Sequence, residues 1–184
     1  MAPTQSHDST MDSRIDICQL SEGCVIDVKI REAADQFLAC RRIAVTGVSR
    51  KPEGHGSNIV YKRLKERGYQ AFAVNPNTST VDGDQAYPSL GAIPEGVEAV
   101  VIGTSPEHAI GTMREAVDLG IRKVWMHRSF GGGSVSPEAT EYGRTHGVTV
   151  IDGGCPLMFG PTADGGHKVM CRLSMLTGKV PRRV

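Results

Sequence analysis

The fold of this chain is decided by the stretch Arg41-Arg42-Ile43-Ala44-Val45-Thr46-Gly47-Val48-Ser49, which is followed by Gly54, Gly56, Ser57 and Asn58. An apolar run stops at a glycine, a small polar loop follows, and a helical pattern begins. This order is typical of the first strand, the phosphate-facing loop and the first helix of a doubly wound α/β domain. Because loop amides and a helix N-terminus attract anions, the stretch predicts a ligand that carries a phosphate or pyrophosphate.

Further apolar runs follow the first strand, and helical patterns separate them. The predicted strands are 43–46, 70–74, 97–102, 123–126 and 148–151, and the predicted helices are 31–40, 58–67, 107–119 and 137–146. Strands that alternate with helices form a parallel sheet with right-handed crossovers. We therefore predict an α/β fold, a Rossmann-like doubly wound parallel sheet of about five strands in the order 3-2-1-4-5, in three α/β/α layers. The ligand crevice is expected at the carboxyl ends of strands one, three and four.

The length of 184 residues suits one domain with short extensions. Residues 1–30 are predicted to be an N-terminal extension that is partly disordered, since its first part is polar with little to bury. Residues 31–155 are predicted to form the Rossmann-like domain. Residues 156–184 are predicted to form a C-terminal extension that packs on it.

Composition argues against several classes of function. The formal net charge of +1 gives no sign of a nucleic-acid-binding surface. No apolar run approaches the roughly 20 residues of a membrane span, and the polar start of the chain has no signal-peptide core. The five cysteines have no CxxC spacing, so neither a disulfide framework nor a metal site is predicted. We expect a cytoplasmic protein with reduced thiols.

Several phosphate ligands are disfavoured by the motifs around the loop. A nicotinamide cofactor normally requires a GxGxxG turn and an acidic residue at the end of strand two. Here Gly47-Val48-Ser49 has no second glycine two residues on, and strand two ends in Val74-Asn75-Pro76. The basic residue that NADP uses instead is missing at Asn77 and Thr78. No GxxxxGK[ST] motif occurs, which disfavours ATP hydrolysis.

A set of spaced motifs carries a resemblance to a known family. The motifs are Gly47-Val48-Ser49 with Pro52, Ser57, Gly68-Tyr69, Val74-Asn75-Pro76, Gly83, Tyr87, Ser89-Leu90, Ile93-Pro94 and Val124-Trp125. Between about Phe37 and Cys155 the chain resembles the CoA-binding domain family. These are stand-alone bacterial proteins similar to the N-terminal domain of the succinyl-CoA synthetase α subunit. The resemblance implies a Rossmann-like domain that holds coenzyme A or an acyl-CoA.

The resemblance also implies which residues hold the coenzyme. The loop after strand one would take the pyrophosphate, the head of the first helix would add hydrogen bonds, and the end of strand two would lie by the adenosine. The implied cofactor-binding residues are Gly47, Val48, Ser49, Ser57, Asn58, Asn75, Pro76, Gly103, Thr104 and Ser105. Arg50 and Lys51 are assigned to the 3′-phosphate on charge alone, and Trp125 and His127 are added at the end of strand four. Ser57 is also the candidate N-cap of the first helix after the loop.

Two departures from the family pattern lie after strand four and beyond strand five. The family often has a Gln after the Trp and then a Gly-Val turn, whereas this chain has Met126-His127-Arg128-Ser129-Phe130 and three glycines, 131–133. The segment 155–184 extends beyond the family's common core.

Catalysis is kept open as an alternative, although no catalytic residue is assigned. Topology places His127 and Cys155 near the same sheet edge, where a thiol and an imidazole can act as nucleophile and base with Asp152 orienting the imidazole. Cys155 is alternatively a redox-sensitive thiol able to form a mixed disulfide with CoA. The enzyme alternatives are an NADP-dependent reductase and a Cys155-dependent acyl-CoA enzyme.

Asp164 and His167 lack metal-site spacing. A third hypothesis is that the chain is a structural or regulatory protein in which the loop after strand one no longer binds a phosphate ligand. Proposed partners are a CoA thioester, a second copy of the chain joined through 15–30, or an acyl-CoA enzyme.

Overall fold

The computed structural model describes residues 29–51, 56–128, 133–160 and residue 184. These residues form helices α1 (Ile30–Leu38), α2 (Gly56–Glu66), α3 (Pro106–Asp118) and α4 (Pro137–Thr145), strands β1 (Arg42–Thr46), β2 (Gln70–Val74), β3 (Thr80–Val81), β4 (Asp84–Tyr87), β5 (Ala99–Ile102), β6 (Lys123–Met126) and β7 (Thr149–Asp152), and a 3₁₀-helix, Pro156–Met158. Most of the two predicted extensions, 1–28 and 161–183, lies outside the described residues. Their boundaries therefore stay a prediction.

The seven strands form one sheet in the order β3-β4-β2-β1-β5-β6-β7. All neighbouring strands are parallel except β3 and β4, which form an antiparallel pair. At the centre, Ala44 of β1 pairs with Phe72 on one side and with Val100 on the other. The predicted Rossmann-like α/β class is therefore confirmed.

The number and the order of the strands differ from the prediction. The strand within 97–102 was placed beside strand two, but as β5 it pairs with β1. The place beside β2 belongs to β4, which the sequence analysis missed together with β3. Strand β4 is short and polar and fully buries only Ala86, so it leaves no apolar run in the sequence. The predicted turn Val81-Asp82-Gly83 was the one local sign of this hairpin, and both Asp82 and Gly83 have positive φ.

Side chains from the two faces of the sheet contribute to two separate hydrophobic cores. One face packs against α1 and α2 and includes Phe37, Leu64, Ile43, Val45, Val101, Trp125 and Ile151. The other face packs against α3 and α4 and includes Ala109, Met113, Ala139, Ala44, Val100, Ile102, Val124 and Val150. Because successive residues of a strand point to opposite faces, the central strands are buried on both sides, which explains their continuous apolar sequences. The predicted three-layer arrangement is confirmed.

Two mid-helix glycines provide a test of the packing between α3, α4 and β7. A Cβ at Gly143 of α4 would lie 2.7 Å from both Met113 Sδ and Val150 Cγ2, whereas a Cβ at Gly111 of α3 would meet nothing within 4 Å. We predict that Gly143→Ala lowers the free energy of unfolding by about 1–3 kcal/mol through overpacking. Gly111→Ala should raise it by roughly 0.5–1 kcal/mol, since alanine favours a helix. Urea denaturation of both variants measures these changes.

Candidate functional site

The carboxyl ends of β1 and β5 come into close backbone contact at two glycines. A Cβ on Gly47, whose φ is +73°, would lie 2.4 Å from the Gly103 carbonyl oxygen. A Cβ on Gly103 would lie 2.1 Å from Ser57 Oγ and 2.6 Å from the Thr46 carbonyl oxygen. Contacts of this length are sterically impossible for a side chain. The loop after β1 therefore requires glycine at both positions to lie against the loop after β5.

Two hydrogen bonds hold these loops together. The Gly103 N–H donates to Thr46 Oγ1 at 3.2 Å, and Ser57 Oγ donates to the Gly103 carbonyl oxygen at 3.0 Å. Ser57 was predicted to be an N-cap, but helix α2 already begins at Gly56, so Ser57 lies inside its first turn. Its buried hydroxyl joins α2 to the end of β5 instead of capping the helix.

Two asparagine side chains hold the loop that follows β1. Asn58 Oδ1 accepts from the Ser49 N–H at 2.9 Å, and its Nδ2 donates to the Ser49 carbonyl oxygen at 2.7 Å. Asn75 Nδ2 donates to the Val48 carbonyl oxygen at 2.7 Å, while its Oδ1 accepts from the Asn77 N–H at 2.8 Å. Both carboxamides are thus committed to the backbone.

A cleft of about 530 Å³ opens beside these loops. It is lined by Thr46, Gly47, Val48, Ser49, Val74, Asn75, Pro76, Asn77, Pro88, Ser89, Thr104, His108, Thr112 and Glu115. A second cavity of about 540 Å³ is lined by Ser49, Arg50, Lys51, Asn75 and Asn77, and so shares three residues with the first. Eight of the predicted site residues therefore line one connected region: Gly47, Val48, Ser49, Arg50, Lys51, Asn75, Pro76 and Thr104.

The other predicted site residues do not line the cleft. Ser57, Asn58 and Gly103 lie behind it and shape the loops, as described above. Ser105 occupies the N-cap position of α3, as predicted for that helix, but its hydroxyl donates to Glu107 Oε1 at 2.7 Å.

Trp125 and His127 are core residues in this structure. Trp125 has no exposed surface, donates from Nε1 to the Gly153 carbonyl oxygen at 2.9 Å and packs edge-on against Phe37 of α1. His127 is 5% exposed. The crevice was expected at the carboxyl ends of strands one, three and four, which are β1, β5 and β6, whereas the cleft lies at the ends of β1, β2 and β5. Trp125 and His127, at the end of β6, do not line it.

One wall of the cleft was missed by the sequence analysis. His108, Thr112 and Glu115 of α3 line it, and Glu115 Oε1 accepts from the Gly91 N–H at 3.0 Å. Their spacing of four and three residues puts them on one side of a helix, next to the stripe that packs on the sheet. That periodic polar face was the signal available in the sequence.

The charged and polar groups of the cleft are distributed unevenly. Arg50 and Lys51 lie at the second cavity, whereas Glu115 lies on the α3 wall. The Thr104 Oγ1 atom is buried and has no hydrogen-bond partner within the described part of the chain. An anionic group is therefore favoured at the Arg50 end.

The proposed thiol and imidazole pair is unsuited to nucleophilic chemistry in this structure. Burial raises the pKa of the Cys155 thiol to about 11 and lowers the pKa of His127 to about 4, so both are neutral near pH 7. Among the described residues, no hydrogen bond joins them. Asp152 accepts a hydrogen bond from Arg144 at 3.3 Å, rather than orienting His127.

No group of three or more His, Cys, Asp or Glu side chains suited to a metal occurs in the described ranges. Asp164 and His167 lie outside them. None of the described helices has the length and apolar character that crossing a bilayer requires.

The buried His127 predicts a pH dependence of stability. Its pKa is lowered by burial from 6.5 to about 4, so between these values the unfolded chain binds a proton that the folded protein does not. Stability contributed by the neutral ring is therefore present above pH 6.5 and is lost as the pH falls towards 4, by up to about 3 kcal/mol. His127→Gln should flatten this part of the curve of unfolding free energy against pH. His146→Gln, at an exposed ring, is the control, and equal slopes for wild type and His127→Gln would contradict the prediction.

Comparison with known proteins identifies the family of the chain. Residues 41–161 match the family model described as a CoA binding domain. This range includes β1, the loops at Gly47 and Gly103, both cavities and all the strands of the sheet. The match covers well over half of the 184 residues.

Three individual proteins illustrate the similarity. The uncharacterized protein YneT of Bacillus subtilis is 30% identical over 60% of this chain and 78% of its own length. The ADP-forming acetate–CoA ligase II subunit alpha of Pyrococcus furiosus is 30% identical over 66% of this chain. The matched region is only 28% of the length of that relative. A solved structure of a hypothetical protein from Pyrococcus horikoshii is 29% identical, has a TM-score of 0.62 and is matched over 67% of this chain and 84% of its own. Together with the family match, these similarities show that the chain belongs to the CoA-binding domain family.

Proposed function

We propose that the cleft binds coenzyme A or an acyl-CoA and that this chain does not turn the thioester over by itself. The observation that carries the proposal is the close contact of Gly47 with Gly103 beside a cleft with Arg50 and Lys51 at one end. This arrangement suits a ligand with several phosphates, because backbone can approach the ligand closely and the cations attract it. Membership of the CoA-binding domain family supports coenzyme A as that ligand.

The surfaces of the cleft suggest how the coenzyme lies in it. The loop 47–51 would face the pyrophosphate, and Arg50 or Lys51 would pair with the 3′-phosphate. The adenosine would lie at the end of β2, where Val74, Pro76 and Pro88 line the cleft and offer apolar surface to a purine. Thr104, in the loop after β5, would form part of the opposite wall.

A binding role without turnover is supported by the state of Cys155. Its thiol is buried in the core with Trp125 and Phe159, and burial raises its pKa to about 11, so little thiolate is present at neutral pH. An enzyme that makes or uses acyl-CoA is the proposed partner, since the Pyrococcus furiosus relative is named as a subunit of such a ligase. The homodimer and the cytoplasmic location stay predictions.

The 3′-phosphate assignment can be tested with two forms of the coenzyme. We predict that Arg50→Ala or Lys51→Ala raises the Kd for CoA about fivefold or more, because an exposed charge-assisted contact is lost. The Kd for 3′-dephospho-CoA should stay unchanged in the same variant. Isothermal titration calorimetry of the whole chain measures both. Lys62→Ala is the matched control, since Lys62 is an exposed lysine of α2 that lines neither cavity.

Equal weakening for CoA and 3′-dephospho-CoA would place the tested cation elsewhere on the ligand. No weakening in either variant would remove both residues from the site.

The thiol-enzyme alternative can be tested at Cys155. We predict that Cys155→Ala binds CoA within about twofold of the wild type, because the thiol lies in the core and does not line the cleft. Incubation with acetyl-CoA should release no free CoA beyond the uncatalysed rate with either protein. Thioester turnover by the wild type that the variant lacks would instead establish a Cys155-dependent enzyme.

A further inference from the structure

The Asn58 side chain forms hydrogen bonds with the backbone of the loop 47–51. Its carboxamide forms two hydrogen bonds with the Ser49 peptide groups, at 2.9 Å to the N–H and at 2.7 Å to the carbonyl oxygen. The residue is 4% exposed and does not line either cavity. A carboxamide presents one donor and one acceptor side by side, so it satisfies both polar groups of Ser49 as a neighbouring strand would.

This pairing decides which loop amides remain for a ligand. The Ser49 N–H is committed to Asn58, and the Lys51 N–H donates to Ser49 Oγ at 3.1 Å. Arg50 is exposed and its N–H has no acceptor within the described ranges, whereas Val48 is fully buried. The loop therefore uses the Ser49 and Lys51 amides for its own structure and leaves the Arg50 amide for an anion.

We propose that Asn58 is a positioning residue, which fixes the loop after β1 in its ligand-binding conformation without touching the ligand. The proposal rests on the proposed function and deepens it, since it assigns Asn58 a different role from the direct hydrogen bond that the family resemblance implied. Asn75 supports the same loop through Val48, but it also lines both cavities, so a substitution there would change loop support and ligand contact together. Asn58 lines neither cavity, so a substitution there changes loop support alone.

Two substitutions separate the two hydrogen bonds. Asn58→Ala removes the hydrogen-bond partners of the Ser49 N–H and the Ser49 carbonyl oxygen, so the loop 47–51 loses this restraint. Asn58→Asp keeps an acceptor for the Ser49 N–H but loses the donor and sets a negative oxygen against the Ser49 carbonyl. Thr140→Ala is the matched control, because Thr140 is similarly buried and hydrogen-bonded to Ser136, in α4 rather than near the loop.

The experiment combines amide hydrogen exchange by NMR with calorimetric titration of CoA and 3′-dephospho-CoA on the whole chain. In Asn58→Ala we expect exchange of the Ser49 amide to accelerate about tenfold or more and both coenzymes to bind about tenfold more weakly. In Asn58→Asp the Ser49 amide should stay protected while binding of both coenzymes weakens. Thr140→Ala should change neither readout, even where it lowers global stability.

Each other result has a distinct meaning. Faster Ser49 exchange with unchanged CoA affinity would overturn the positioning role. Weaker binding in Asn58→Ala with Ser49 still protected would also overturn it and indicate direct contact with the ligand. If the wild type binds neither coenzyme, the proposed function itself is wrong, and the positioning proposal falls with it whatever the exchange rates.

Discussion

The cleft depends on the contact between two backbones that only glycine permits. Gly47 and Gly103 bring the loops after β1 and β5 within a distance that excludes any side chain at either position. Thr46 and Ser57 then fix the contact by hydrogen bonds to the Gly103 peptide groups. Since Ser57 belongs to α2, the same contact sets the position of the helix relative to the loop. The loop after β1, the start of α2 and the opposite wall of the cleft are thus placed by one steric requirement.

The rest of the fold supplies the walls and the charge around that contact. Helix α3 packs Ala109, Met113 and Ala116 on the sheet, while His108 and Thr112, beside that stripe, line the cleft. One amphipathic helix therefore stabilises the domain and completes the site. Arg50 and Lys51, at the end of that loop, line the adjoining cavity and give it positive charge.

Local patterns predicted the central sheet, but they could not predict contacts between distant segments. Strands β1, β5, β6 and β7 carry apolar runs because they are buried on both faces, whereas β4 shows little apolar pattern and was missed. Ser57 and Asn58 were predicted to bond to the ligand, whereas in the structure Ser57 bonds to Gly103, 46 residues away, and Asn58 bonds to the backbone of Ser49. Trp125 was predicted at the crevice, but strand alternation turns its side chain towards Phe37, on the face opposite the α3 wall.

The proposed function requires that this cleft recognise coenzyme A rather than a nicotinamide nucleotide. The most direct measurement is a thermal-shift titration of the whole chain with CoA, acetyl-CoA, NAD and NADP in reducing buffer. A ligand that binds only the folded state raises the melting temperature with its concentration. We expect such a rise with CoA or acetyl-CoA and little change with NAD or NADP. A rise with NADP alone would overturn the proposed function and indicate a reductase, and no rise with any ligand would leave the loop a purely structural element.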